Sequence, residues 1–585
     1  MNYDLNTLSG QEKKKSTYAA LKSLLLLVEE EKKALLLALF AILVNSTLTL
    51  LGPFLVGYTI DHYVQHKQYN GVLLFSGILL VMYTIALFTS YFQTKLMGGV
   101  GQRVLFNLRN TIFNKLQVLP LAFFNANKSG DLISRVNNDT DKLNTFFSQS
   151  LVQFVGSIAT MVGAGIFLLA INIKLGLAAL VPGAFILIFT QLFSPLLKKK
   201  NAANMKSVGF MSGEIQESLD NFKVIIAFNR RDYFRKRFDE ANRQNYSTAI
   251  GAGLVNNFVL PVYSLFSGFA QLIVLTYGIY LVANGDFTVG LLVSYLAYAV
   301  NFYNPLRQLA ALWTNFQVAL AGWDRISGIL SLETDLVMVK KQEESSAALI
   351  EFRNVHFSYY NSKEILHNVS LKMERGKTYA FVGPTGGGKT TTASLIARLY
   401  DAGSGTIFLD GKDVRSYPAE ELSGKIGYIL QEPFLFTGTV KENILYGNER
   451  YHSYTNEQLE KVIKDAQLGS ILGIFENGLE TKVSTGGESV SLGQKQLVAF
   501  MRAVLRNPEV LILDEATANI DTVTEQLLEE ILNKLPKTTT RIIIAHRLNT
   551  IENADEIFFV NAGEVTRAGS FKEAVNKLLN DKRVS

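Results

Sequence analysis

Thr378-Tyr-Ala-Phe-Val-Gly383-Pro-Thr385-Gly386-Gly387-Gly388-Lys389-Thr390-Thr391 decides how the carboxyl-terminal half of the chain folds. It reads as a short apolar strand running into a full match to G-x-x-x-x-G-K-[ST], with a helix opening directly behind it. Glycines let the backbone curl until successive N–H groups face one concavity, and the helix N-terminus adds the positive end of its dipole. Such a concavity cradles phosphate. Lys389 is placed to reach the outer phosphates and the Thr390 hydroxyl to ligate Mg²⁺. Further along, Val510-Leu-Ile-Leu-Asp514-Glu515 is an apolar strand ending in two carboxylates, where open α/β sheets face their ligands. From Ile350 onward β-like runs and helical stretches alternate (Thr378–Val382, Thr391–Leu399, Val510–Leu513, Glu525–Leu535, Arg541–Ala545), the rhythm of parallel strands with crossover helices.

The first half has a different character. Of 585 residues 18% are charged, 48% hydrophobic and 11% aromatic, against about 25% charged in ordinary soluble proteins. The deficit sits in six uncharged runs: 34–60, 72–94, 145–173, 175–197, 247–285 and 287–306. Each is long enough to cross about 30 Å of hydrocarbon. The connections at 95–144 and 198–246 are long and basic, with 7 basic against 3 acidic and 11 basic against 6 acidic residues. The positive-inside rule puts them, and both termini, in the cytoplasm. Leu105, Leu108, Ile112 and Leu116 fall on one helical face, and Ile215–Phe228 has the same spacing, so the spans are expected to continue as helices below the membrane. Asn125–Asp131 is rich in turn formers and interrupts that pattern.

Composition excludes several classes. No cysteine is present, which removes disulfides, thiol catalysis and Cys-based zinc sites. A net charge of +6 over this length gives no footprint for nucleic acid. Residues 1–33 read as a cytoplasmic interfacial helix, 34–330 as the membrane domain, 331–349 as a polar linker and 350–585 as the phosphate-loop domain.

Three further features narrow the second domain. Ser491-Leu-Gly493-Gln494-Lys-Gln496 precedes the acidic strand, Gln431 follows the strand-like 426–430, and His546 follows the strand at 541–545. Their order resembles the nucleotide-binding domain of ATP-binding cassette (ABC) transporters. Ser491–Gln496 is similar to that family's signature, Gln431 to its Q-loop, Ala516–Asp521 to its D-loop, His546 to its switch histidine and Tyr359 to the aromatic that stacks on adenine. Residues 120–135 and 229–238 resemble the cytoplasmic loops that carry coupling helices in ABC exporters. One six-span all-α domain followed by one α/β P-loop ATPase domain is the family's half-transporter arrangement.

The resemblance implies a catalytic set of Glu515, His546 and Gln431. It implies ATP bound by Tyr359, Thr385, Gly386, Gly387, Gly388, Lys389, Thr390, Thr391 and Asp514, with Ser491, Gly493 and Gln494 contributed by a second chain, and Mg²⁺ held by Thr390 and Gln431. Two half-transporters, identical or different, would clamp two ATP molecules and drive export across a membrane, taken to be the bacterial inner membrane. Two departures stand out: Leu492 occupies the first Gly position of the signature, and Ser484–Gly487 lacks the glutamate usual before it. The spans hold neutral polar residues such as Asn45, Gln153, Gln191 and Asn256 among many aromatics, which favours a hydrophobic or amphipathic, lipid-like or drug-like cargo. Export of peptides and an ATP-gated channel or regulator are the alternatives.

Overall fold

The computed structural model describes residues 3–5, 24, 27–333, 336, 338–339, 348–359, 363–484, 489–514, 522–544, 553–569 and 573. The chain divides into two compact units. One comprises Ser9–Lys115 and Gly130–Leu330; the other comprises Met1–Leu8, Leu116–Ser129 and Ser331–Ser585.

Every element of regular structure described in the first unit is a helix. Its long helices are α1 (Lys32–Thr59), α2 (Tyr69–Gln117), α3 (Leu151–Ile171), α4 (Ile173–Asp220), α5 (Arg231–Ala283) and α6 (Val289–Leu330). Among the described residues five helical segments are long and apolar enough to cross a membrane, and they contain α1 to α5. The sixth expected span, 287–306, overlaps the start of α6, a helix of 42 residues that is not one of those five. Helices α2, α4 and α5 exceed 45 residues, more than a bilayer needs, because the periodic faces below the membrane stay helical. Leu105, Leu108 and Ile112 are buried together, as their spacing requires. The expected helix over 215–228 is interrupted. Asn221 leaves helical geometry at φ −102°, its side chain turns back to the Glu217 carbonyl, and a separate short helix, Phe222–Ala227, follows.

Three buried tyrosines on α6 fasten this unit with hydroxyls that donate to backbone carbonyls. Tyr295 reaches Leu168 (2.6 Å), Tyr298 reaches Leu50 (2.8 Å) and Tyr303 reaches Ala179 (2.7 Å). In an apolar surround a buried hydroxyl must find such a partner. Helices α1 and α6 approach so closely that a Cβ on Gly57 would lie 2.0 Å from Ser294 Oγ. Nearby, Asp61 accepts from the Thr288 hydroxyl and from Gly290 N–H (2.7 Å), which caps the start of α6.

An ionic knot lies at the cytoplasmic side of the sequence pattern. Asp139 is 1% exposed and accepts from Arg325 of α6 and from Lys142 (2.9 Å). Arg135, buried beside it, donates to Asp131 and to the Arg325 carbonyl. The turn carrying Arg135–Asp139 is wound as a π-turn, one residue wider than an α-turn.

The second unit is built on sheets. Strands β1 (Ile350–Phe357), β2 (Leu366–Met373), β4 (Ser404–Leu409) and β5 (Lys412–Asp413) form an antiparallel sheet in the order β2-β1-β4-β5. Strands β3 (Thr378–Val382), β6 (Ile426–Ile429), β9 (Val510–Asp514), β10 (Thr540–Ile544), β11 (Glu556–Asn561) and β12 (Glu564–Gly569) form a second sheet, ordered β12-β11-β3-β10-β9-β6. Its central pairs are parallel, as the strand–helix rhythm predicts. A two-stranded ribbon pairs β7 (Gly438–Thr439) with β8 (Lys482–Val483). Alternate residues of the parallel strands serve two cores. Ala380, Leu511, Leu513 and Ile543 face one, and Phe381, Val510, Ile512 and Ile542 face the other. A strand buried on both faces in this way reads as an unbroken apolar run, which Val510–Leu513 is.

Candidate nucleotide site

The phosphate loop leaves the carboxyl end of β3 and enters helix α7 (Lys389–Ile396). Glycine is obligatory at two of its positions. Gly383 has φ +149° and a Cβ there would sit 1.9 Å from the Val560 carbonyl oxygen, while Gly388 has φ +112° at the helix N-cap. Strand β11 therefore backs the loop directly, and Gly563 N–H bonds to the Gly387 carbonyl (3.2 Å). Thr385 and Gly386 are exposed at the tip, whereas Gly387 and Gly388 are buried.

Lys389 is only 5% exposed, and its amine donates to the carbonyls of Gly383 (2.9 Å) and Pro384 (3.0 Å). The cation thus lies across the mouth of its own loop. Thr390 donates to Asp514 Oδ1 at 3.2 Å, so the end of β9 and the start of α7 meet. Asp514 is 3% exposed and its other oxygen, Oδ2, accepts from the Tyr428 hydroxyl at 3.3 Å. A carboxylate beside a hydroxyl is a hard oxygen donor set of the kind Mg²⁺ takes, so these residues fit the metal the sequence implies.

The aromatic end of the site is built from Tyr359 and its neighbours. Tyr359 shares a hydrogen bond with Thr391 (3.1 Å) and lies edge-on to Phe357 and to Tyr400, the latter at 5.1 Å. Tyr400 in turn accepts from Asn125 Nδ2 (2.7 Å), a residue of the first cytoplasmic loop. A cavity of about 770 Å³ opens here, lined by Tyr3, Pro120, Asn125, Tyr359, Tyr400 and Asp401 among others. The loop itself is held by the amino-terminal residues. Asn127 accepts from Leu5 N–H (3.1 Å) and donates to the Tyr3 carbonyl (2.7 Å), the Tyr3 hydroxyl donates to the Glu333 carbonyl, and the Tyr3 ring meets Phe123 edge-on.

Gln431 is exposed just beyond β6, and its carbonyl accepts from Gln496 (3.1 Å). Gln496 belongs to helix α8 (Leu492–Val504), whose N-cap is Ser491. Ser491 and Gln494 satisfy one another in a capping box: Ser491 Oγ accepts from Gln494 N–H and Gln494 Oε1 accepts from Ser491 N–H. Among the described residues the serine hydroxyl proton has no acceptor. Leu492 is 39% exposed and Gly493 is buried. Ser491 and Gln494 bond to each other and, for Gln494, to the Ile474 carbonyl, not to the phosphate loop of their own chain.

The structure thus joins Tyr359 to Thr391 and Thr390 to Asp514, and leaves the signature end apart from both. Glu515, Ala516–Asp521 and His546 lie outside the described residues. Sequence reading did not find Tyr428 or Tyr400, and it placed Asn125 in the first cytoplasmic loop without showing its bond to Tyr400. The signal for Tyr428 was a phenol inside a short strand that holds no other side-chain polar group, three residues before Gln431.

Comparison with known proteins agrees along the chain. A sequence-family model described as the ABC transporter transmembrane region matches residues 35–306, and one described as ABC transporter matches residues 366–518. An uncharacterized ABC transporter ATP-binding protein, YfiC, of Bacillus subtilis is 33% identical over 92% of this chain and 89% of its own length. A fatty acid ABC transporter ATP-binding/permease protein of Mycobacterium bovis is 32% identical over 85% of this chain and 78% of its own. An ATP-dependent lipid A-core flippase of Syntrophus aciditrophicus is 29% identical over 91% of this chain and 88% of its own.

Proposed function

Because the chain belongs to the ABC transporter family, as an exporter-type half with a membrane domain fused to an ATPase domain, we propose that it exports an amphipathic, lipid-like or drug-like molecule by alternating access. It is an integral membrane protein with its ATPase domain in the cytoplasm, and ATP hydrolysis is coupled to transport. The names of its relatives include fatty acid, multidrug and lipid A-core transporters, which supports a cargo with an apolar body. The neutral, aromatic-rich spans favour the same class.

The observation that carries the mechanism is the meeting of Lys389, Thr390 and Asp514 at one strand–helix junction. In our reading the glycine backbone and the α7 N-terminus bind the phosphates, and Lys389 exchanges its two loop carbonyls for phosphate oxygens. Tyr359 stacks on the base. Thr390, Asp514 and Gln431 hold Mg²⁺, which supplies charge neutralisation at the outer phosphates. Glu515 orients and polarises the attacking water, and His546 contacts the outer phosphate.

Ser491, whose hydroxyl proton is not consumed by its own cap, serves the nucleotide of a second chain. ATP then binds the closed pair more tightly than the open one, and that difference shifts the equilibrium. The short helix 222–227 exposes Phe222, Val224 and Ile226, and the segment after Gln431 exposes Phe434, Phe436 and Tyr446. These apolar faces suit docking between two copies. The boundaries 34–330, 331–349 and 350–585 remain our proposal for the domain limits.

The test is ATPase activity of the purified chain in lipid nanodiscs beside Glu515→Gln, with transport of a fluorescent fatty acid into inverted vesicles. Mg²⁺-dependent turnover that the substitution abolishes, together with ATP-dependent uptake, supports the reading. Turnover equal in the two proteins sinks the role of Glu515. A folded chain that binds ATP without turnover calls for a different partner half.

A further inference from the structure

We propose that Tyr428 is a positioning residue for the metal site: its hydroxyl fixes the Asp514 carboxylate and ties it to the strand that carries Gln431. The inference rests on the reading of Asp514 and Thr390 as the Mg²⁺-holding pair. Strands β6 and β9 are parallel neighbours with Tyr428 opposite Ile512, which sets the phenol beside the end of β9 two residues further on. The hydroxyl donates to Asp514 Oδ2 at 3.3 Å while Thr390 donates to Oδ1 at 3.2 Å. With both oxygens engaged, the carboxylate cannot rotate without breaking a bond on one side or the other.

The phenol is itself oriented. The buried Ser394 hydroxyl bonds to its oxygen from the other side. Any large apolar residue could fill the same space between the strands, but only a hydroxyl can hold Asp514. Three residues beyond Tyr428, the Gln431 carbonyl is held by Gln496 of α8. The short stretch 428–431 is therefore fastened at one end to the metal-site carboxylate and at the other to the signature helix. A shift of the Q-loop would be felt at Asp514 through Tyr428.

The probe is Mn²⁺ binding, followed by electron paramagnetic resonance, to the full-length chain in nanodiscs with saturating ATPγS. Tyr428→Phe removes the oxygen and keeps the ring. We expect the Mn²⁺ midpoint to rise about 10-fold, the lower range for loss of a group that orients a metal ligand. Nucleotide binding in EDTA should be unchanged. Tyr428→Ile should weaken Mn²⁺ to a similar extent. A midpoint within about twofold of wild type, or a parallel loss of nucleotide binding in EDTA, overturns the proposal. So does a defect confined to Tyr428→Ile, which would make the ring a packing element. If the wild type itself shows no nucleotide-dependent Mn²⁺ binding, the metal-site reading of Asp514 and Thr390 falls, and Tyr428 with it.

Discussion

Replacing Asp139 with asparagine keeps the shape of the side chain and removes its charge from a site where it is almost wholly enclosed. The wild-type carboxylate faces Arg325 and Lys142, and Arg135 lies alongside. Breaking a fully buried ion pair costs about 3–5 kcal/mol because the remaining charge is left without a partner. Here the abandoned cations are Arg325 and Lys142, with side chains 42% and 37% exposed, so water recovers part of the loss. Discounting for that exposure leaves about 2 kcal/mol. For a unit of this size it corresponds to a fall in melting temperature of roughly 4 °C. The assay is thermal unfolding of the detergent-purified chain for Asp139→Asn, Arg325→Gln and the double variant. The double variant should melt close to the worse single one, because the second change finds the pair already broken. Additive losses, or an Asp139→Asn protein that melts within about 1 °C of wild type, would refute the claim that this pair is a working joint.

Other consequences can be checked with the same protein. Gly57→Ala would place a Cβ 2.0 Å from Ser294 Oγ and 2.5 Å from the Gly290 carbonyl. It should destabilise by about 1–3 kcal/mol, seen as a lower melting temperature, while Gly209→Ala, with open space around it, should not. Glu509 is pulled two ways. Burial raises its carboxyl, but hydrogen bonds from Lys425 and Arg375 outweigh burial and hold it below the ordinary 4.5. A depressed carboxylate stabilises the fold above that ordinary value, and the contribution disappears as pH falls through the folded value. Melting curves should therefore separate wild type from Glu509→Gln at pH 7 and converge as the pH falls through the depressed value of the folded carboxyl. Asn127→Ala removes both bonds to Tyr3 and Leu5, so hydrogen–deuterium exchange at Leu5 N–H should accelerate about 5- to 10-fold, as expected for roughly 1 kcal/mol; unchanged protection would mean packing alone holds the tail.

How much of this could be read from residues alone depended on the range over which each feature acts. The uncharged runs and the Gly383–Thr390 loop are local patterns, and both the helical membrane domain and the α/β ATPase domain follow from them. The helix break at Asn221 escaped notice because Ile215–Phe228 keeps its apolar spacing through the interruption. Only the side chain's return to Glu217 ends α4 there. Asn125 and Tyr400 are 275 residues apart, and nothing near either one announces the other. Tyr428 sat within a strand already recognised, yet its bond to Asp514 depends on the parallel register of β6 and β9, which the sequence does not print. The roles of Glu515 and His546 rest on family resemblance, and both positions lie outside the described residues.

The clasp of Asn127 on Tyr3 and Leu5 bears on how this protein should be handled in the laboratory. Tyr3 is 1% exposed, and its backbone carbonyl is already engaged. A purification handle or fluorescent protein fused on the amino-terminal side of Tyr3 adds bulk next to this clasp and to the cavity lined by Tyr359 and Tyr400. Turnover of such a fusion should be compared with that of the untagged chain, because the added bulk loads the bonds that Asn127 makes to Tyr3 and Leu5. The exposed turn at Lys67, where φ is +56° and no buried contact is at stake, offers a more neutral point for attaching a label.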